Sequence, residues 1–172
     1  MKKTVLTFGL ISGGITTAAM LVSAALSNHV DLASTTGEVF GYTTIVLSML
    51  LVFFGVRSYR ENVTGGHLTF GRGFGVGLLI TLVSCALYVG TWEFVQYQFF
   101  PDFGAKYAQC TIDREKAKGS TPEKIAAVER QMADFQRMYA NPVLNVLMTF
   151  AEPFPVGVGA TLISAAILRR RK

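Results

Sequence analysis

Four long apolar runs dominate the chain, and they cover residues 5–26, 39–56, 74–95 and 144–168. Each run is close to the roughly 20 residues that an α-helix needs to cross the hydrocarbon core of a bilayer. The runs lack the continuous polar face that a helix on the surface of a soluble domain shows. The pattern therefore predicts an all-α fold, a four-transmembrane-helix bundle in which residues 1–172 form a single membrane domain.

The one sizeable polar segment, residues 101–141, lies between the third and fourth runs. Apolar residues recur in its second half at the 3-4 spacing of a helix face, and a thinner stripe precedes them. We expect an extramembrane helical hairpin that closes along the two stripes, with Ser120 and Glu123 as a capping box at the start of its second helix. Alternatively, the stripes pack on the bilayer surface or form a groove for a partner protein. The stripes comprise Ile125, Val128, Met132, Phe135 and Tyr139, and Phe103, Tyr107 and Cys110.

Composition supports a membrane protein and argues against a nucleic-acid partner. Charged residues make up 16% of the 172 residues, whereas soluble domains carry about 25%. The net charge is +5, but many basic residues flank the apolar runs, and we see no exposed basic face with stacking aromatics. The expected partners are the lipid bilayer and either a second copy of the chain or another membrane protein.

The distribution of Lys and Arg predicts the topology. The N-terminus, residues 57–72 and the C-terminus are basic, whereas the segment 27–37 has no Lys or Arg. The positive-inside rule then places both termini in the cytoplasm of a bacterial inner (plasma) membrane and the hairpin outside. The first run is longer than the roughly 7–15 residues of a signal-peptide core, so we interpret it as a span that is retained.

The fourth run contains the main candidate site, because Glu152 lies inside it and is followed by Pro153 and Pro155. The prolines remove the helical hydrogen bonds to the carbonyls of Thr149 and Ala151. An acid beside a broken helix is typical of ion and substrate sites in transporters. Counting along the other spans at 1.5 Å per residue reaches several hydroxyl side chains at a similar depth. The candidate ion or ligand site therefore comprises Glu152, Pro153, Pro155, Thr17, Ser48, Ser84 and Tyr88.

Two other interpretations of Glu152 stay open at this point. The span could begin at Glu152, which would then be an interfacial residue at the start of a shorter helix. Alternatively, Glu152 could be a buried acid with a structural role only.

Glycines mark the expected close contacts between helices. Gly9 and Gly13 form a small-xxx-small pair in the first span, and Gly73 and Gly77 open the third. We interpret the glycine-rich residues 62–77 as a turn followed by a helix start. A phosphate-cradling loop would need a GKS/T signature, which is absent from the sequence, and a re-entrant turn remains an alternative.

The residue types that carry catalysis or bind metals are sparse. The chain has two cysteines, with no CxxC motif, and two histidines. The predicted topology puts His29 and His67 on opposite sides of the membrane, so they cannot share a site. We expect no catalytic residue, no metal and no cofactor.

The order of these features resembles that of a known family. The resemblance rests on the glycine-containing first span, on the second turn, on the segment around Glu152, and on the basic end of the chain. The chain resembles a bacterial four-span membrane protein family catalogued as a domain of unknown function, number 4199. The resemblance implies the four-span architecture and no particular activity. The residues that carry it are Gly55, Tyr59, Arg60, Gly66, Phe70, Asn141, Pro142, Phe150, Glu152, Pro153, Phe154, Pro155 and Gly157.

Two hypotheses for the function follow. The first is a non-enzymatic membrane protein of unknown activity that acts through helix packing and partner contact. The alternative is a small transporter or channel subunit that uses the intramembrane acid Glu152 at the proline-broken helix.

Overall fold

Seven α-helices make up the part of the chain that the structure describes, which is residues 1–25 and 35–170 of a computed structural model. These residues contain no β-strand, only an isolated bridge between Leu68 and Arg170. The helices are α1 (Lys2–Ala25), α2 (Thr35–Asn62), α3 (Phe70–Phe99), α4 (Phe103–Ala117), α5 (Pro122–Tyr139), α6 (Pro142–Ala151) and α7 (Pro153–Leu168).

Four helical stretches are long and apolar enough to cross a membrane. They are Lys2–Ala25, Thr36–Asn62, Phe70–Phe99 and the consecutive helices α6 and α7, Pro142–Leu168, and they contain 24 to 30 residues each. The chain is therefore a multi-pass membrane protein, and the predicted all-α, four-span fold is confirmed. The spans extend beyond the predicted apolar runs because their ends include polar and glycine residues that still continue the helix.

Helix α3 lies at the centre of the bundle and packs against α1, α2, α6 and α7. Lipid tails are as apolar as the side chains, so helices in a bilayer associate through close packing and hydrogen bonds between helices. The interior shows both features. Buried serines and threonines lie among a core of apolar side chains from α2 and α3, which includes Ile45, Met49, Val52, Val56, Val76 and Ile80.

The basic end of the bundle brings together the start of α1, the α2–α3 turn and the end of α7. Phe8 of α1 lies against Gly55 of α2, and Leu68 and Arg170 exchange two backbone hydrogen bonds of 3.0 and 2.8 Å. Gly65 and Gly66 have φ of 61° and 88°, which is the left-handed region that favours glycine. The glycine-rich segment is thus a short turn followed by a helix start.

The hairpin of α4 and α5 lies at the opposite end of the bundle, and the two predicted stripes meet inside it. The rings of Tyr107 and Phe135 are 5.3 Å apart, and those of Phe103 and Tyr139 are 6.0 Å apart. Gly104 allows this approach, because a Cβ there would lie 2.8 Å from the Tyr139 ring.

The predicted capping box at the start of α5 is wrong. The N-cap is Thr121, whose side chain accepts a hydrogen bond from the Lys124 amide, and Pro122 occupies the first turn. Ser120 instead donates a hydrogen bond of 2.7 Å to Glu115 of α4. Gly119 has φ of 70°, and this turn after α4 directs the Ser120 hydroxyl back to the first helix of the hairpin.

Candidate functional site

A cavity of about 350 Å³ lies where the membrane bundle meets the hairpin. Residues of helices α1 to α6 line it, together with Glu152, which joins α6 to α7. Small-molecule sites in proteins typically occupy about 300–1,000 Å³ and combine apolar walls with a few polar groups. The volume and the mixed lining of this cavity match that description.

Glu152 and Tyr88 form the main polar contact of the cavity. The Tyr88 hydroxyl donates a hydrogen bond of 2.6 Å to Oε2 of Glu152. Glu152 lines the cavity and keeps an accessible surface. Its backbone remains right-handed helical, with φ −72° and ψ −59°, so the interruption at Pro153 breaks hydrogen bonds without unwinding the chain.

Glu152 lies well inside its span. Helix α6 precedes it with ten residues, Pro142–Ala151, which correspond to about 15 Å at 1.5 Å per residue. The apolar helical stretch that is long enough to cross a membrane begins at Pro142, before Glu152, and the helical backbone of Glu152 joins α6 to α7.

A second acid, Glu38, lines the cavity from the first turn of α2. Its Oε1 lies 3.4 Å from Nη2 of Arg114 on α4, and the two side chains are 27% and 31% exposed, respectively. Burial raises the pKa of the neighbouring Tyr107, and the charge of Glu38 adds to this effect. The ion pair connects the hairpin to the bundle at the edge of the cavity.

Five aromatic rings border the cavity on the hairpin side and form what we call the aromatic cluster. The Trp92 ring meets the Phe103 ring edge to face at 4.8 Å, and Phe135 stacks on Tyr139 at 5.2 Å. Such pairs stabilise by roughly 0.5–1.5 kcal/mol beyond the area they bury. The aromatic cluster consists of Trp92, Phe103, Tyr107, Phe135 and Tyr139.

A chain of hydrogen bonds holds the hairpin on the bundle. Trp92 Nε1 donates to the Tyr139 hydroxyl at 3.0 Å, and this hydroxyl donates to Oε1 of Gln96 at 2.9 Å. Asn145 of α6 also donates to Oε1 of Gln96, at 3.1 Å, and accepts from Thr149. The chain thus runs from the hairpin down α6 to within one turn of Glu152.

The chemistry of the cavity does not identify the protein family, but the sequence matches a family model. A model described as a protein of unknown function (DUF4199) covers residues 7–170. The chain belongs to the DUF4199 family. This confirms the resemblance drawn from the second turn and the segment around Glu152. No curated protein and no solved structure matches the chain.

In this DUF4199 protein only some of the predicted site residues lie together around Glu152. Tyr88 contacts Glu152, and Pro153 and Pro155 follow it in α7. The remaining hydroxyl groups have other partners. The Ser48 hydroxyl donates to the Ile45 carbonyl at 2.8 Å, and the Ser84 hydroxyl shares a hydrogen bond of 3.0 Å with Ser12 of α1. Thr17 shares a hydrogen bond of 2.8 Å with Thr91.

The four glycines proposed for helix packing all lie at close contacts within the chain. A Cβ would lie 2.7 Å from Val83 at Gly9 and 2.6 Å from Leu87 at Gly13. At Gly77 it would lie 2.8 Å from Thr161, and at Gly73 it would lie 3.1 Å from Leu68. The contacts of Gly9 and Gly13 hold α1 against α3, and the contact of Gly77 holds α7 against α3. The contact of Gly73 packs Leu68, at the end of the α2–α3 turn, against the start of α3.

Several cavity residues of this family member were not singled out from the sequence. Glu38 and Tyr42, which lie one helical turn apart in α2, were not among the predicted site residues. The aromatic cluster combines four residues of the predicted hairpin stripes, Phe103, Tyr107, Phe135 and Tyr139, with Trp92 of α3. A glutamate in each of two apolar helices, Glu38 in the first turn of α2 and Glu152 between α6 and α7, is the signal that could have suggested the cavity.

Of the two histidines, His67 lies in the α2–α3 turn at the basic end of the bundle and does not line the cavity. His29 lies outside the described residues.

Proposed function

We propose that this protein is a non-enzymatic membrane protein that binds a small ligand in the cavity between the bundle and the hairpin. The observation that carries the proposal is the Glu152 carboxyl group, held by the Tyr88 hydroxyl at 2.6 Å and lining the cavity. A carboxyl group within a span is costly in lipid, and such groups commonly mark ion or substrate sites.

The packing of the glycines favours ligand binding over a function based only on contact between helices of different chains. Gly9, Gly13 and Gly77 fit against side chains of their own chain. Their close packing is accounted for by the fold itself. A larger residue at Gly13 would therefore disrupt the bundle whether or not the protein forms oligomers.

A small transporter or channel subunit is the second candidate function. It is favoured by the position of Pro153 and Pro155 beside the cavity, because helices interrupted next to an acid recur at transporter sites. Transport would require the ligand to pass from the cavity to the basic end of the bundle, opposite the hairpin. Binding at Glu152 is the first step both in a binding protein and in a transporter.

The proposed location is a bacterial inner membrane, with both termini in the cytoplasm and the hairpin outside. Lys2, Arg57 and Arg170 belong to the basic end of the bundle, opposite the hairpin. The positive-inside rule assigns that end to the cytoplasm. The cavity would then lie on the external side.

The test uses the single tryptophan of the chain, because Trp92 lines the cavity and its fluorescence reports what occupies it. The purified full chain in detergent is titrated with three small aromatic probes, namely benzyltrimethylammonium, benzyl alcohol and phenylacetate. We expect a saturable change in fluorescence with at least one probe. We also expect the change to disappear in Gly41→Phe, since Gly41 lines the cavity and a Cβ there meets open space.

Gly75→Phe is the matched control. Gly75 also leaves open space at its Cβ but does not line the cavity, so this variant should respond to the probes like the unmodified protein. Ligand binding in the cavity is refuted if none of the probes gives a saturable change, or if the change survives Gly41→Phe.

A further inference from the structure

We infer that the ligand is an organic cation, an alkylated ammonium group joined to a compact apolar body. The inference rests on the proposed function and specifies the chemistry of the same cavity. Three observations carry it, namely the charges of the lining, the aromatic cluster, and the spacing between the two along α3.

The lining is acidic. Glu38 and Glu152 contribute carboxyl groups, and no Lys, Arg or His is among the described residues that line the cavity. Glu38 is paired with Arg114. No ion pair to Glu152 forms within residues 1–25 and 35–170, and its hydrogen-bond donor is the neutral Tyr88 hydroxyl.

A bound cation would supply the opposite charge that Glu152 lacks. Tyr88 donates to Oε2 of the carboxyl group, and no other hydrogen bond to this carboxyl group forms within residues 1–25 and 35–170. An anion would be repelled by the ionised form of Glu152, and a neutral ligand would offer it no opposite charge, whereas a cation would stabilise the ionised carboxyl group in a partly apolar site. The charge of the lining therefore favours a cation over the other two classes.

The aromatic cluster fits an organic cation better than an inorganic ion. Aromatic faces attract alkylated ammonium groups through the ring quadrupole, with an energy of about 0.5–2 kcal/mol per contact. A metal ion would need several oxygen, nitrogen or sulfur ligands, and no group of three His, Cys, Asp or Glu side chains comes together in the described parts of the chain. The cavity of about 350 Å³ is also far larger than a metal ion.

The spacing along α3 sets the dimensions of the ligand. Tyr88, which holds Glu152, and Trp92, which belongs to the aromatic cluster, are four residues apart on one face of the helix. This separation corresponds to about 6 Å along the axis. A ligand of these dimensions can place its ammonium group between Glu152 and the nearest ring of the aromatic cluster, and its apolar body among the other rings, as in benzyltrimethylammonium.

The experiment compares the three probes by Trp92 fluorescence in the full chain and in two variants. We expect benzyltrimethylammonium to bind at least about tenfold more tightly than benzyl alcohol or phenylacetate. Glu152→Gln should weaken the binding of the cation by roughly tenfold or more, because it removes the charge but keeps the shape of the side chain. The matched control Glu93→Gln removes an acid of α3 that does not line the cavity and should leave the affinity within about twofold.

The outcomes separate this inference from the proposed function. The cation assignment is overturned if benzyl alcohol or phenylacetate saturates the site with equal or higher affinity, or if Glu152→Gln binds the cation unchanged. In those cases the cavity still binds a ligand, and the proposed function stands. Absence of saturable binding by all three probes overturns both.

The same ligand chemistry occurs in free organic amines and in lipid headgroups. Repeating the titration in lipid nanodiscs distinguishes the two sources. Phosphatidylcholine in the nanodisc should compete with benzyltrimethylammonium if a headgroup occupies the cavity. Equal affinity in phosphatidylcholine and in phosphatidylglycerol nanodiscs would identify a free amine, and both results support recognition of a cation.

Discussion

Glu115 stabilises the turn of the hairpin through three side-chain contacts. Its carboxyl group accepts hydrogen bonds from Ser120 at 2.7 Å and from Lys118 at 3.2 Å, and it pairs with Lys124 of α5. The side chain is only 11% exposed. These contacts, with that of Lys124 the largest, lower the pKa of Glu115 from its ordinary value of 4.5 to about 2.

The lowered pKa of Glu115 predicts how the stability of the hairpin changes with pH. A carboxyl group with a lower pKa in the folded state stabilises that state above its unfolded pKa, and the effect is lost as the pH falls through the folded value. We expect protection of α4 and α5 from hydrogen exchange to fall between about pH 5 and pH 2. Glu115→Gln should reduce the protection at pH 7 and make little difference near pH 2.

Glu129→Gln is the control for this prediction. Glu129 pairs with Lys116, but both side chains are 48% exposed, and exposed pairs contribute little to stability. A loss of protection at pH 7 that is equal in the two variants would contradict the role given to Glu115.

At the level of single residues, sequence reasoning found one contact of the site and missed others for a geometric reason. Counting the helical rise placed Tyr88, Ser48 and Ser84 at the depth of Glu152, but it gives no information on which face of each helix points to the acid. Only the Tyr88 hydroxyl reaches Glu152. The Ser84 hydroxyl bonds to Ser12, and the Ser48 hydroxyl donates to the Ile45 carbonyl of its own helix. Depth is readable from the sequence, and rotation about the helix axis is not.

Helices α3 and α7 fit together through two reciprocal contacts. A Cβ at Gly77 of α3 would lie 2.8 Å from Thr161 of α7, and a Cβ at Gly157 of α7 would clash with Thr81 of α3. The two threonine hydroxyls are 3.3 Å apart. Each helix thus places a threonine where the other has a glycine.

This arrangement predicts that two nearby glycines of α7 differ in their tolerance of a methyl group. Gly157→Ala should destabilise the fold by about 1–3 kcal/mol, because the methyl group meets Thr81 in a packed interior. Gly159→Ala should be neutral or should stabilise by up to about 1 kcal/mol, since alanine favours a helix and its Cβ meets open space. Thermal unfolding in the same detergent measures both, and an equal shift in Tm for the two variants would contradict the close α3–α7 packing.

At the level of helices, the apolar pattern predicted the four spans because the bilayer selects for length and hydrophobicity. The ends of the helices were less readable from the sequence. Helix α3 starts at Phe70 and ends at Phe99, beyond the predicted residues 74–95, since Thr69 caps the helix before the glycine-rich start. The N-cap of α5 was assigned one residue too early because Ser120 and Thr121 both have a capping hydroxyl.

At the level of the whole molecule, the hairpin and the bundle enclose a site that neither forms alone. Six helices and the α6–α7 junction contribute to the cavity, and the ring contacts and the Glu38–Arg114 ion pair connect its two parts. The sequence predicted the hairpin and left open whether it docks on the bundle. Contacts between residues such as Glu38 and Arg114, which are far apart in the chain, follow from the tertiary structure and leave no local pattern.

Side-specific labelling of the Glu152→Cys variant tests most directly whether a cavity on the hairpin side reaches Glu152. The reagent is the membrane-impermeant trimethylammonioethyl methanethiosulfonate, applied to sealed vesicles of known orientation, with the buried Cys85 replaced by alanine. Cys110 of α4 is partly exposed and reports the side on which the hairpin lies. An Ile163→Cys variant serves as the control, because Ile163 is 61% exposed on the outer surface of α7, where lipid would surround it.

We expect the reagent to label Cys110 and position 152 from the external side only, with position 152 reacting at least about tenfold faster than position 163, since the thiolate needs water to form. Benzyltrimethylammonium should slow the reaction at position 152 without affecting Cys110. Labelling of position 152 from the side of the termini, or no labelling of it while Cys110 reacts, would contradict a cavity at Glu152 that opens beneath the hairpin.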